Sequence, residues 1–269
     1  MSWTDAVARL RAERRPGVLL TVIAVRGHAP REAGAKMVVA ATETTGSIGG
    51  GNLEMTAVAR SREMIAMGAE QPETLELRLN DRAPAEHGRQ CCGGEVMILL
   101  EPLPAPPVVA IFGVGHIGLE LTRILSRHDM DLFLSDSRPE QIEAAAALDP
   151  GDATIHLRHT VLGEEVVAEL PAGSHVLIMT HDHAEDLHLC DAALRHPDLA
   201  SVGLIGSSAK WQRFRKHLTE AGHAPDLVDT ITCPIGLPDL PGKRAATIAV
   251  GVAAVLLSSL RTTDSGVHS

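Results

Sequence analysis

The chain has 269 residues, more than one ordinary domain needs, and 45% of them are hydrophobic, enough to fill two cores. With three Phe, two Trp and no Tyr, those cores must be aliphatic. A net charge of −10, with no basic stripe and few rings to stack on bases, argues against a nucleic-acid partner and against anionic membranes.

The opening MSWTDAVARLRAERRPG is charged and lacks the apolar run of a signal peptide. Thr4–Glu13 has the spacing of an amphipathic helix. "VLLTVIAV" (Val18–Val25) and "AKMVVA" read as strands. "TGSIGGG" reads as a turn-rich link, and Leu53–Gly68 as a helix closed by its glycine. "TLELRLN" and "EVMILLE" alternate as strands do. "EPLPAPP" (Glu101–Pro107) carries four prolines in seven residues and continues neither a helix nor a central strand. A domain boundary is expected there, with an N-terminal α+β domain over residues 1–104 and a second domain over 105–269.

Beyond the prolines, strand and helix alternate. "VVAIFG", "DLFLSD", "ATIHL", "HVLIMT", "SVGLIG" and "DTITC" read as strands, with "HIGLELTRILSRH", "PEQIEAAAAL" and "GEEVVAEL" as helices. This pattern predicts an α/β fold: a Rossmann-like, doubly wound parallel sheet beside the smaller N-terminal α+β domain. Thr247–Leu260 is apolar but too short to span a bilayer, and reads as a buried helix. The expectation is a soluble, cytoplasmic protein.

Four groups of residues could carry chemistry. "GVGHIG" supplies Gly113, Gly115, His116 and Gly118 between a strand and a helix, where free N–H groups and close backbone approach suit a phosphate. Asp136 ends the next strand, about 20 residues on, at the position that grips a ribose in dinucleotide sites such as that for NAD. A tight turn without ligand is the plain alternative. "THDHAEDLH" follows another strand with His181, Asp182 and His183; zinc bound with Asp186 or His188 is conceivable, but a solvated loop with a helix cap explains it more simply. "GLIGSSAK" offers Ser207 or Ser208 as a helix cap, and Cys233 of "CPIGLPDLPGK" can be a small core residue. All of these loops nevertheless follow strands, so a parallel sheet brings them to one edge.

The fourth group lies in the first domain. "GHAPREAGAKM" places Arg31 and Lys36 among small residues, and "GSIGGGNLE" puts Gly50 and Gly51 before a helix. Three consecutive glycines cost backbone entropy and suggest close approach of a ligand or of another backbone, or else a flexible loop. "RQCCGGE" holds Cys91 and Cys92 side by side. Four cysteines do not make a disulfide framework, so these are expected as reduced thiols able to bind a soft metal or carry sulfur.

"TVIAVRGHAPREAGAKMVV", "GSIGGGNLE", "QCCGGEV", "GVGHIG", "THDHAEDLHLCDAAL", "VGLIGSSAKWQRF" and "CPIGLPDLPGK", in this order, resemble the xanthine dehydrogenase accessory proteins, the XdhC type of the XdhC/CoxI family. The likeness runs from about Val18 to about Leu257. Asn52 stands where wider relatives often carry cysteine. The resemblance implies a homodimeric chaperone, not an enzyme, acting in purine catabolism. It would bind molybdenum cofactor (molybdopterin), protect it while a cysteine desulfurase helps install the sulfido ligand, and insert it into apo-xanthine dehydrogenase. In that role the phosphate would lie at Gly113–Gly118, Cys91 and Cys92 would face molybdenum or its sulfur, and Arg31 and Lys36 would balance the phosphate charge. The competing readings are an NAD-dependent oxidoreductase and, behind it, a zinc hydrolase.

Overall fold

A computed structural model describes residues 1–78 and 94–262, with side chains to 260. Cys91 and Cys92 lie outside the described residues. The chain forms two compact units, Met1–Pro106 and Pro107–Ser269.

The first unit runs α1 (Trp3–Ala12), β1 (Gly17–Arg26), β2 (Lys36–Ala40), β3 (Thr44–Gly46), α2 (Gly51–Ala66), β4 (Glu73–Arg78) and β5 (Glu95–Leu103). Its antiparallel sheet has the order β3-β2-β1-β5-β4. Side chains two apart share a face, so β2 splits cleanly. Met37 and Val39 join Leu20, Ile98 and Leu100 under Leu53, Ala57 and Met64 of α2, while Val38 and Ala40 pack against Ala6 and Leu10 of α1. Ser2 starts α1 with a reciprocal cap: Asp5 N–H donates to its hydroxyl at 3.1 Å, and its own N–H donates to the Asp5 carboxylate at 2.9 Å.

Two expectations for this unit need correcting. Part of the turn-rich link is an edge strand, β3, whose Thr45 pairs with Val38. The proline segment does enter the sheet, because β5 continues to Leu103 with Pro102 opposite Val18. The last β4 pair is Glu73 with Leu100, so beyond it β5 has a neighbour on one side only and a missing N–H is tolerated there.

The second unit runs β6 (Val108–Phe112), α3 (His116–Leu125), β7 (Asp131–Asp136), α4 (Pro139–Ala146), β8 (Thr154–His159), α5 (Gly163–Glu169), β9 (His175–Ile178), α6 (His183–Arg195), β10 (Ser201–Leu204), α7 (Ser208–Glu220), α8 (Pro225–Val228), β11 (Ile231–Thr232) and α9 (Ala245–Thr262). All six strands are parallel, in the order β11-β10-β9-β6-β7-β8. Counted from β6 as first, this is the 3-2-1-4-5-6 order of the doubly wound dinucleotide fold, read from its far edge. Every residue of β6 is buried because both faces are covered. Val109 and Ile111 face a core with α3, α4 and α9; Ala110 and Phe112 face one with α5, α6 and α7. Among the described residues, Phe112 and Phe214 are the only buried Phe, Trp or Tyr side chains.

"DTITC" is strand only over Ile231–Thr232, since the chain leaves the single helical turn of α8 just before it. The helix expected to be buried, α9, covers α3 with Ala249, Val252, Ala253 and Leu256 but leaves Val250 51% and Val255 40% exposed. Among the described residues no helix is long and apolar enough to cross a membrane.

Candidate functional site

The candidate site is the carboxyl edge of the parallel sheet, at the point where the order reverses between β6 and β9. Gly113 leaves β6 with φ 98° and donates its N–H to Ser135 O at 2.8 Å. A Cβ there would stand 2.3 Å from Met179 O, so any side chain would wedge the turn from the end of β9. A Cβ on Gly118 would lie 2.4 Å from Gly113 O, which is how α3 packs closely on its strand. Gly115 caps α3 from extended backbone and has open space, with only Arg138 Nη2 near, at 3.7 Å from a Cβ position. The first N–H groups of a helix lack partners within it and carry its positive end, so this open cap suits an anion. His116 is the exposed first residue of α3.

Asp136 is 3% exposed, and both its oxygens are engaged. Oδ2 accepts from Val114 N–H at 2.7 Å and Arg138 Nη2 at 2.9 Å; Oδ1 accepts from Arg138 N–H at 3.0 Å and Arg138 Nε at 2.9 Å. Burial pushes this carboxyl up, but the guanidinium and the two N–H groups outweigh it and hold the pKa below its ordinary value. The strand-end acid thus fixes the glycine turn and aims Arg138 over Gly115. A carboxylate has about four lone-pair sites. A ribose hydroxyl would have to displace one of these donors.

The loop after β9 carries three roles. Asp182 caps α6, its Oδ1 accepting from Ala184 N–H at 2.6 Å and Glu185 N–H at 3.2 Å. His181 is exposed. His183 places Nδ1 3.3 Å from Arg213 Nη2 and packs edge-on to Phe214. Asp186, fully buried, accepts from Thr180 N–H at 3.0 Å and Thr180 Oγ1 at 2.8 Å, and from Lys210 Nζ at 2.5 Å. Lys210 also donates to Ile205 O at 2.9 Å and lies over the Phe214 ring. Ser207 caps α7 by accepting from Lys210 N–H at 3.2 Å. Asp186 therefore serves a buried ion pair that ties the β9 loop to α7. Among the described residues no three His, Cys, Asp or Glu side chains are grouped to hold a metal ion. Cys233 is half-buried and burial raises its thiol pKa; buried Cys190 is pushed up to about 12 by the same cause.

In the first unit, Gly50 and Gly51 have positive φ (73° and 60°) and nothing within 4 Å of their Cβ positions. Backbone conformation, not crowding by another backbone, demands glycine there. Glu54 occupies the turn from within, accepting from Ser47 Oγ at 2.6 Å, Gly50 N–H at 3.1 Å and Ile48 N–H at 3.2 Å. Arg31 is exposed; Lys36 donates to Thr21 Oγ1 at 2.7 Å and sits over the Trp3 ring.

Gly113, Gly115, Gly118, Asp136, Asp182 and Ser207 thus stand at one sheet edge, whereas Arg31, Lys36, Gly50 and Gly51 belong to the other unit. Sequence reasoning missed Arg138, Glu54 and the pairing of Lys210 with Asp186. A basic residue two positions after a strand-end acid was the available signal for Arg138.

Strand order and glycine turn define a two-unit protein whose second unit has a Rossmann-type fold. A family model described as the XdhC Rossmann domain matches residues 109–256, and one described as the XdhC and CoxI family matches residues 10–77. The chain belongs to the XdhC and CoxI family. It is 24% identical to the uncharacterised protein YqeB of Escherichia coli K12, over 95% of this chain and 45% of that protein. It is 25% identical to the molybdenum cofactor insertion chaperone PaoD of the same organism, over 90% of this chain and 82% of that one. The chain thus spans less than half of the first relative and most of the second. A crystal structure described as a xanthine dehydrogenase from Bacillus halodurans shares the fold at TM-score 0.50 and 19% identity, over 97% of this chain and 96% of that one.

Proposed function

We propose that this protein is a non-catalytic accessory chaperone that binds molybdenum cofactor and inserts it into apo-xanthine dehydrogenase. The observation that carries the reading is the open N-terminus of α3 at Gly115 with the Asp136-anchored guanidinium of Arg138 beside it, a ready seat for the terminal phosphate of the cofactor. Family membership and the likeness to PaoD supply the rest.

In this reading His116 and the loops carrying His181, Asp182, His183 and Ser207 border the bound cofactor. Arg31 and Lys36 add positive charge on the first unit. The thiols of Cys91 and Cys92 face molybdenum or the sulfur being installed with a cysteine desulfurase. The working form is a homodimer in the cytoplasm. The XdhC subtype follows from the same reading.

The test is anaerobic incubation with molybdenum cofactor, removal of free ligand, and quantification of bound molybdenum and pterin. Stoichiometric retention, weakened in the Cys91→Ala/Cys92→Ala protein, is the expected result. Unchanged retention in that protein removes the thiols from the mechanism. The second reading, an NAD-dependent oxidoreductase, is favoured by the strand order alone; tight NADH binding by calorimetry without cofactor retention would establish it over the chaperone.

A further inference from the structure

Next to the open cap lies a groove of about 530 Å³, within the range of small-molecule sites. Segments that follow β7, β8 and β9 line it, represented by Ser137, by Val161 and Leu162, and by His181 and Glu185. Val161 and Leu162 are 72% and 46% exposed, so adjacent aliphatic side chains form an open wall. Glu185, in the first turn of α6, is part-buried; its N–H serves the Asp182 cap, but its carboxylate forms no hydrogen bond or ion pair with any described residue. Burial raises its pKa, against the opposing pull of His181 and with smaller help from Asp136, Asp186 and Asp182. Ser137 on the groove directly precedes Arg138, whose Nη2 stands 3.7 Å from a Cβ position on Gly115, so groove and cap lie side by side.

Exposed aliphatic side chains can pack against a planar ring. A carboxylate without partners suits an edge that presents two parallel N–H donors. The 2-amino-4-oxopyrimidine edge of a pterin or of guanine presents such a pair; adenine presents one amino group beside ring acceptors.

We propose that this groove holds a fused 2-amino-4-oxopyrimidine ring against Val161 and Leu162, with Glu185 accepting from its two N–H donors while the ligand's phosphate sits at Gly115 and Arg138. The proposal rests on the reading of the sheet edge as a phosphate site and assigns its ring-binding half. Two sources share this ring chemistry, a pterin phosphate and a guanine nucleotide.

The experiment uses the full chain and three probes by calorimetry: neopterin phosphate, guanosine monophosphate and adenosine monophosphate. One or both of the first two should bind about 10- to 100-fold more tightly than the adenine nucleotide, the discrimination a two-bond base contact supplies. Glu185→Gln, which turns one acceptor oxygen into a donor, should erase that difference while leaving adenosine monophosphate binding and the melting temperature unchanged. Val161→Asp, on an exposed loop, should weaken all three probes alike. Tighter neopterin phosphate assigns a pterin; tighter guanosine monophosphate assigns a guanine nucleotide. Equal binding of all three, or discrimination that survives Glu185→Gln, overturns the proposal. Retention of molybdenum cofactor by the Glu185→Gln protein separates the two ideas. Full retention with no ring discrimination refutes the groove assignment and leaves the chaperone standing. Glu185-dependent discrimination without any cofactor retention supports the groove and removes the chaperone.

Discussion

Asp186→Asn should destabilise the second unit severely. The carboxylate is fully buried and accepts three hydrogen bonds, two from Thr180 and one from Lys210 Nζ. The amide can keep its oxygen toward Thr180, but its NH₂ then faces the ammonium, donor against donor. The Lys210 side chain is only 9% exposed, and Ile205 O is its one remaining hydrogen-bond acceptor. Leaving a buried charge uncompensated costs about 3–5 kcal/mol. For a unit of this size about 1 kcal/mol moves the melting temperature by roughly 2–4 °C, so a drop of roughly 6–20 °C follows. The assay is urea and thermal unfolding read by Trp211 fluorescence in a Trp3→Phe background, since these are the two tryptophans of the chain and Trp211 sits on α7 beside Lys210. Lys210→Met alone should also be costly. The double variant Asp186→Leu/Lys210→Met should cost much less than the sum, because the second change removes the charge the first one strands. A loss below about 1 kcal/mol for Asp186→Asn, or strict additivity in the double variant, would refute the argument that the pair holds the β9 loop to α7.

Other outcomes follow from the same edge. Gly118→Ala should lower stability by about 1–3 kcal/mol, because the added methyl meets Gly113 O at 2.4 Å, whereas Gly115→Ala should fold normally and weaken phosphate binding; melting curves and inorganic phosphate titrations distinguish them. Cys190, with its pKa near 12 and its side chain buried, should stay unmodified by a thiol reagent at neutral pH in the folded protein and react fully in denaturant; labelling followed by peptide mass spectrometry checks this. Asp136 has a folded pKa below its ordinary 3.8, so its contribution to stability is full above that value and is lost as the pH falls through the lower folded one. Asp136→Asn should flatten that acid limb in melting temperature against pH, and a limb unchanged by the substitution would show that other carboxylates set it.

Much of this architecture is local and therefore legible in the chain itself. Runs such as "VVAIF" and "VLI", apolar at every position, mark strands covered on both faces, and their alternation with helical segments dictates a parallel sheet. The glycine turn before α3 is legible for the same reason: its dihedral and packing demands act within a few residues. The family motifs likewise need only their order along the chain.

What tertiary structure alone decided are the partnerships made across distance. Lys210 and Asp186 stand 24 residues apart, and their pairing depends on β9 lying next to β10. Asp136 looks like a ribose ligand by position, yet the fold spends its lone pairs on Val114 and Arg138. The triple-glycine turn suggests close approach of a ligand or of another backbone by composition, yet α2 returns Glu54 into it. Pro102 can sit in β5 because β4 ends two residues short of it, and α9 leaves Val250 and Val255 in solvent because α3 covers only one of its faces. Propensity and pattern are properties of neighbours in sequence; whether a polar group is free to meet a ligand depends on which distant donors and acceptors the packing has already given it.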